Sequence, residues 1–256
     1  MKIHVDKTKK AASKKAAQKA ISILNQAIEE KGSAAFVMAT GNSQLDFVEA
    51  LVESEDIDWS KTKMFHLDEY IGIPQTHRAS FRKYLKERFI DKVDIGEVNL
   101  IDGNTEDPEA ECKRLNKIIE KEEIDIAFVG IGENGHLAFN DPPADFETEE
   151  PFIIVDLDEK CRKQQVGEGW FDTIDDVPEQ AISMSIKQIL KSNFIINTVP
   201  NERKAPAVKE CFADWKVSPE APASVLKIHD QVDTYLDEQS ASLLQDSWVS
   251  CFMEKN

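Results

Sequence analysis

Ile124-Asp125-Ile126-Ala127-Phe128-Val129, followed by Gly130-Ile131-Gly132-Glu133-Asn134-Gly135-His136-Leu137-Ala138-Phe139-Asn140-Asp141, decides the fold of this chain. The first six residues are an apolar run of the length of a buried strand. The residues after them gather three glycines, one histidine and two carboxylates (Glu133, Asp141) into one turn. Glycine lets the backbone bend sharply and lets a ligand approach it closely. A histidine set among carboxylates and amides is the usual material of proton transfer near neutral pH. A second dense patch, Phe65-His66-Leu67-Asp68-Glu69-Tyr70, also ends a strand-like run. Two such patches at strand ends argue for an enzyme.

Outward from these stretches, helical and strand-like segments alternate. Residues 8–31 carry Ala16, Ala20, Ile21, Ile23, Leu24 and Ala27 at nearly helical spacing and stop at Gly32. Residues 34–39 read as a strand that breaks at Thr40-Gly41-Asn42-Ser43, with a helix starting near Ser43 or Gln44. Further strands are expected at 61–67, 98–101, 152–155 and 194–199, and helices at 80–90, 108–122, 178–191, 202–213 and 238–248. This alternation implies an α/β fold with a mainly parallel sheet and helices on both faces. No long Gly/Ser/Pro linker and no internal repeat divides residues 1–256, so one domain is expected. In open sheets of this kind ligands bind beyond the carboxyl ends of the strands. Thr40 to Ser43, Asp68-Glu69, Gly130 to Asp141 and Pro200 to Lys204 all follow expected strands, so one cleft should gather all four.

The 256 residues are 41% hydrophobic and 31% charged, which favours a packed core over disorder. No apolar run approaches the ~18 residues of a membrane span, and the N-terminus lacks the apolar centre of a signal peptide. Cys112, Cys161, Cys211 and Cys251 are widely spaced, which fits reduced thiols better than disulfides or a zinc site. A cytoplasmic protein is expected. The net charge of −17 opposes broad contact with nucleic acid or anionic membranes. An anionic substrate must therefore be drawn in by local cations and backbone amides.

Each motif has a plainer explanation to set beside the functional one. Gly130, Gly132 and Gly135 match the dinucleotide fingerprint G-x-G-x-x-G, and Asp156 sits where a ribose-binding acid would be. That fingerprint needs a crossover helix, and Asp141-Pro142-Pro143 interrupts the interval at ~3 kcal/mol per buried helical proline. No cofactor and no metal are expected. A lone histidine is more often structural, but Asn134 and Asp141 flank His136 with groups that orient an imidazole. Asp68 and Glu69 would ordinarily be exposed acids; at a strand end one of them is a candidate general base, with a pKa lifted by partial burial. Thr40, Gly41, Asn42 and Ser43 between strand and helix suit an anion, since helix N-terminal amides attract negative charge. Arg203-Lys204 can add a cation to the same anion. No G-x-S-x-G elbow offers a serine nucleophile.

These residues resemble the glucosamine-6-phosphate deaminases (isomerases), which share a superfamily with 6-phosphogluconolactonases. The matching stretches are Ala39 to Ser43, Phe65 to Tyr70, Gly130 to Pro142, Val177-Pro178 with Ala181-Ile182-Ser183-Met184, and Arg203-Lys204-Ala205. Leu137-Ala138-Phe139-Asn140 after Gly135-His136 leans toward the deaminases. The resemblance implies a Rossmann-like three-layer sandwich and a cofactor-free aldose–ketose isomerisation coupled to loss of ammonia. The partner it implies is a small phosphorylated amino sugar, with homo-oligomer formation left open. It implies that Asp68 moves a proton from C2 to C1 and that His136, oriented by Asp141 and Asn134, assists ring opening. Thr40, Gly41, Asn42, Ser43, Glu69, Gly135 and Lys204 would bind the sugar phosphate.

The chain departs from the family pattern at three places. Asn134 replaces an aspartate, Asp141 replaces a glutamate, and the phosphate-binding arginine expected near Trp170-Phe171 is missing. Phosphate recognition is then rebuilt with Arg162, Lys204 or Arg78, or the preferred sugar differs. Asp145, Glu147, Glu149 and Glu150 stand where regulated members carry basic residues, so no activation by an acetylated sugar phosphate is expected. A lactonase, another amino-sugar-phosphate isomerase and a non-catalytic sugar-phosphate sensor are the alternatives.

Overall fold

The computed structural model describes residues 1–244. Its elements are β1 (Lys2–Asp6), α1 (Lys9–Lys31), β2 (Ala34–Met38), α2 (Leu45–Val52), β3 (Thr62–His66), β4 (Asp68–Tyr70), α3 (Phe81–Arg88), β5 (Glu97–Val98), α4 (Pro108–Ile119), β6 (Ile126–Val129), β7 (Phe152–Asp156), α5 (Glu159–Gly167), β8 (Gln180–Met184), α6 (Ile186–Leu190), β9 (Phe194–Val199), α7 (Ala205–Phe212) and β10 (Val232–Asp237). Short 3-10 turns join several of them.

Seven strands form a parallel sheet in the order β1-β10-β9-β6-β2-β3-β5. Side chains alternate across a strand, so a strand covered on both faces must be apolar throughout. β2 illustrates the rule. Phe36 and Met38 pack with α1, α2 and α3, whereas Ala35 and Val37 face α4, α6 and α7. Helix layers thus cover both faces, as the alternation of segments predicts. α1 owes its ends to local chemistry: the Thr8 hydroxyl accepts from the Ala11 amide, and Gly32 closes the helix in the left-handed region at φ +83°. Among the described residues no helix is long and apolar enough to cross a membrane.

A second, antiparallel sheet of order β4-β8-β7 lies at the carboxyl end of the first, and it corrects the helix expected at 178–191. Residues 180–184 are strand and only 186–190 are helix. Ala181, Ile182, Ser183 and Met184 are all buried, a pattern that periodicity cannot divide between helix and strand. The expected strand at 98–101 shrinks to Glu97–Val98, and the helix at 108–122 ends at Ile119. Of the helix expected at 238–248, residues 238–244 form turns, and the rest lies outside the described residues, as does Cys251. β1, β10 and α5 were not anticipated. The segment from Gly130 to Pro151 contains no helix, in keeping with the prolines there.

Strands β9, β6, β2 and β3 are neighbours, so the loops leaving their carboxyl ends lie side by side. That adjacency builds the site.

Candidate active site

One cleft receives residues from all four loops. Thr40, Gly41, Asn42 and Ser43 come from the end of β2, and Asp68 from just beyond β3. Gly130, Gly132 and His136 follow β6, and Lys204 follows β9. Phe81 and Phe139 supply apolar walls, and Gln164, Gln165, Glu168 and Trp170 close the side toward α5.

Asp68 is only 7% exposed. Burial, reinforced by the negative charge of Glu69, holds its carboxyl well above the usual carboxylate range. A carboxylate raised this way is a stronger base once ionised. His136 donates from Nδ1 to Asp141 Oδ1 at 2.7 Å. Burial works against ionised Asp141, but its hydrogen bonds from His136, Asn134 and the Asp158 amide prevail and hold the carboxyl below its ordinary range. Asp141 therefore fixes the ring proton on Nδ1 and leaves Nε2 for chemistry.

Asn134 stands behind this pair and outside the cleft lining. Its Nδ2 donates to Asp141 Oδ1 at 2.8 Å and to Asp158 at 3.3 Å, while its Oδ1 accepts from the His136 amide at 3.2 Å. An amide thus bridges histidine backbone and carboxylate in a geometry that a second carboxylate, lacking donors, would not reproduce.

The glycines serve the imidazole rather than a nucleotide. A Cβ on Gly132 would lie 2.3 Å from His136 Nε2, and one on Gly130 would lie 2.6 Å from Gln44 Nε2. The Gln44 amide in turn ties the end of β2 to Thr198 of β9, accepting from its hydroxyl at 2.6 Å. Gly132→Ala is expected to push the ring aside and lower turnover in this cleft by ~10²-fold, the usual effect of a misplacement of about 1 Å. Steady-state kinetics equal to those of the native chain would show that the imidazole takes no part.

At the far end of the cleft Gly41 holds φ +99° and opens a 3-10 turn of residues 42–44. Lys204 is 8% exposed; burial lowers its pKa, against the stabilising charges of Glu168 and Glu133. This end therefore offers backbone amides, the Ser43 hydroxyl and one ammonium, a set suited to an oxyanion.

Three expectations need correction. Glu69 does not reach the cleft: it is fully buried and accepts from the Tyr70, Phe81 and Arg82 amides, from Ser80 Oγ at 2.7 Å and from Arg82 Nε at 3.1 Å. Strand alternation explains this, since β4 sends neighbouring side chains to opposite faces. Gly135 also lies outside the cleft; it turns the chain at φ +85°, close to Cys211 and Ala221. Finally, Arg162 and Arg78 are spent elsewhere. Arg162 donates to the Ile174 and Val177 carbonyls, and Arg78 to Asp172 and the Trp170 carbonyl.

Gln164, Gln165, Glu168 and Trp170 escaped sequence reasoning as site residues. They ride on or beside α5, and only the absence of an arginine in that stretch marked it out. Among the described residues His136, Asp141 and Cys161 bring possible metal donors within 4.8 Å of one another. Burial, with Asp141 and Asp158 adding to it, holds the Cys161 thiol protonated, which opposes the thiolate that a metal requires.

Comparison with known proteins bears on this geometry. The family model described as glucosamine-6-phosphate isomerases/6-phosphogluconolactonase matches residues 7–235. A glucosamine-6-phosphate deaminase of Oenococcus oeni is 36% identical over 229 residues, which cover 90% of this chain and 94% of that protein. One from Clostridium acetobutylicum is 36% identical over 231 residues, 88% of this chain and 94% of its own length. Among solved structures, a monomeric glucosamine-6-phosphate deaminase superposes with a TM-score of 0.87 at 30% identity, covering 95% of this chain and 100% of that one. A 6-phosphogluconolactonase from Trypanosoma brucei, at 16% identity and a TM-score of 0.78, shares the fold.

Proposed function

This chain belongs to the glucosamine-6-phosphate isomerase/6-phosphogluconolactonase family, and on that footing we propose that it converts glucosamine 6-phosphate, or a close hexosamine 6-phosphate, to fructose 6-phosphate and ammonia. The observation that carries this reading is that Asp68 and His136 line one cleft whose far end holds Ser43 and Lys204.

The 6-phosphate rests on the amides of the 42–44 turn, on Ser43 and on Lys204. His136 Nε2 takes the proton of the anomeric hydroxyl and returns one to the ring oxygen, and the ring opens. The C1 aldehyde now acidifies the C2 hydrogen. Asp68 removes that proton while the C2 ammonium passes one of its own to the C1 oxygen, giving an enolamine. Asp68 then delivers the C2 proton to C1, leaving an iminium at C2 and a hydroxyl at C1. Water adds to the iminium, ammonia departs, and the C2 ketone remains. No electron leaves the sugar, so the chemistry calls for no redox partner. The raised pKa of Asp68 suits it both to accept the proton and to give it back.

One domain carries the whole reaction in this reading, with a phosphorylated amino sugar as the small-molecule partner and the cytoplasm as the setting. The test is an ammonia-release assay across hexosamine 6-phosphates, run beside hydrolysis of 6-phosphogluconolactone. One ammonia per hexosamine phosphate consumed is expected. Lactone hydrolysis without ammonia release, or sugar-phosphate binding without turnover, would overturn the reading.

A further inference from the structure

The oxyanion end of the cleft contains a carboxylate, and that is unexpected for a phosphate site. Glu168 lines the cleft beside Lys204, and it lines an adjoining recess with Lys204, Asn42 and Ser43. The side chain is held in place: Gln164 Nε2 donates to Oε1 at 2.7 Å, and Trp170 Nε1 donates to Oε2 at 3.2 Å. A carboxylate oxygen has two acceptor sites, so each oxygen keeps room for another donor. The other charges at this recess are the exposed Glu202 and the pair Arg203 and Glu133, which meet at 2.5 Å. Among the described residues an incoming oxyanion thus meets, with Glu202 exposed at the rim, the ammonium of Lys204, which has no ion pair there, and the carboxylate of Glu168, held at both oxygens.

Against that carboxylate, an oxyanion without a proton presents only lone pairs. Such a contact repels and leaves both acceptors unsatisfied. An oxyanion that keeps one proton instead donates O–H to Glu168, a charge-assisted hydrogen bond of the strong kind. We propose that Glu168 is a specificity-determining residue that selects a protonated oxyanion, the singly protonated form of a phosphate monoester, while Lys204 neutralises its remaining charge. This rests on the sugar-phosphate reading above and narrows it to one ionic form of the substrate.

Inorganic phosphate and sulfate test the idea without turnover. At mildly alkaline pH both are tetrahedral dianions of similar size, and only phosphate retains a proton. Calorimetric titration of the native chain is expected to show phosphate binding about tenfold or more tighter than sulfate, the ratio for one hydrogen bond to a charged group. In Glu168→Gln the side-chain amide donates to either anion, so sulfate binding should strengthen and the ratio fall to about one. Equal binding of the two anions by the native chain, or no binding of either, would overturn the proposal. So would an unchanged ratio in Glu168→Gln. The native-chain comparison decides the matter even if the variant does not fold. A chain that prefers phosphate yet releases no ammonia would refute the deaminase reading and leave this one standing; the converse result would do the opposite.

Discussion

Asp68→Asn is expected to reduce turnover by ~10²–10⁴-fold, the range for removing a general acid–base group, with KM little changed. The amide has the shape of the carboxylate but cannot take the C2 proton. The same substitution separates the two chemistries of the family, because lactone hydrolysis assisted by His136 needs no base at C2. An Asp68→Asn variant that releases ammonia at the native rate would remove Asp68 from the mechanism.

The variant also carries a stability signature of opposite sign. Burial raises the folded-state pKa of Asp68 above its ordinary 3.8, so the native chain holds this proton more tightly than the unfolded chain. Between the two values the folded state binds more protons, and stability falls as pH rises through the folded pKa. The buried Asp68 carboxyl therefore costs stability above its ordinary range. Asp68→Asn, which carries no charge, is expected to melt at a higher temperature than the native chain at neutral pH and to lose that advantage in acid. Equal melting temperatures at neutral pH would show that the carboxylate is better solvated than its burial indicates.

Glu69→Ala should have the largest effect on stability. Its carboxylate binds three backbone amides, the Ser80 hydroxyl and the Arg82 guanidinium, with no exposure to solvent. Two of those amides belong to the first turn of α3, where a negative charge also complements the helix dipole. Removing the carboxylate leaves Arg82 buried with Asp102 at 2.6 Å and the Ile73 carbonyl at 3.0 Å as its other partners. Breaking a buried pair on one side costs ~3–5 kcal/mol. The midpoint of urea unfolding should fall accordingly with little change in slope. A loss below ~1 kcal/mol, the scale of an exposed ion pair, would contradict this account.

How far the sequence could be read depended on whether neighbours along the chain carry the information. α1 was legible because its spacing, its Thr8 cap and its terminal Gly32 are all local. The His136 turn was legible because its glycines and polar groups lie within a few residues of one another. β8 was not: a short apolar stretch suits helix or strand alike, and pairing with β4 and β7 made the choice. β1 alternates Lys2-Ile3-His4-Val5 but becomes a strand by pairing with β10, more than 200 residues away in the register Lys2 to Asp233.

Local pattern by itself determined the parallel sheet, the loops at its carboxyl ends and the candidacy of Asp68, His136, Asp141 and Lys204, because burial on both faces demands continuous apolar strands and tight turns demand glycine. Only the tertiary structure told Asp68 from Glu69, adjacent acids of the same chemistry, since which face of β4 looks into the cleft depends on the sheet it joins. It alone also brought Glu168 beside Lys204 and turned Arg162 and Arg78 away, because those distances are set by how α5 packs rather than by any spacing along the chain.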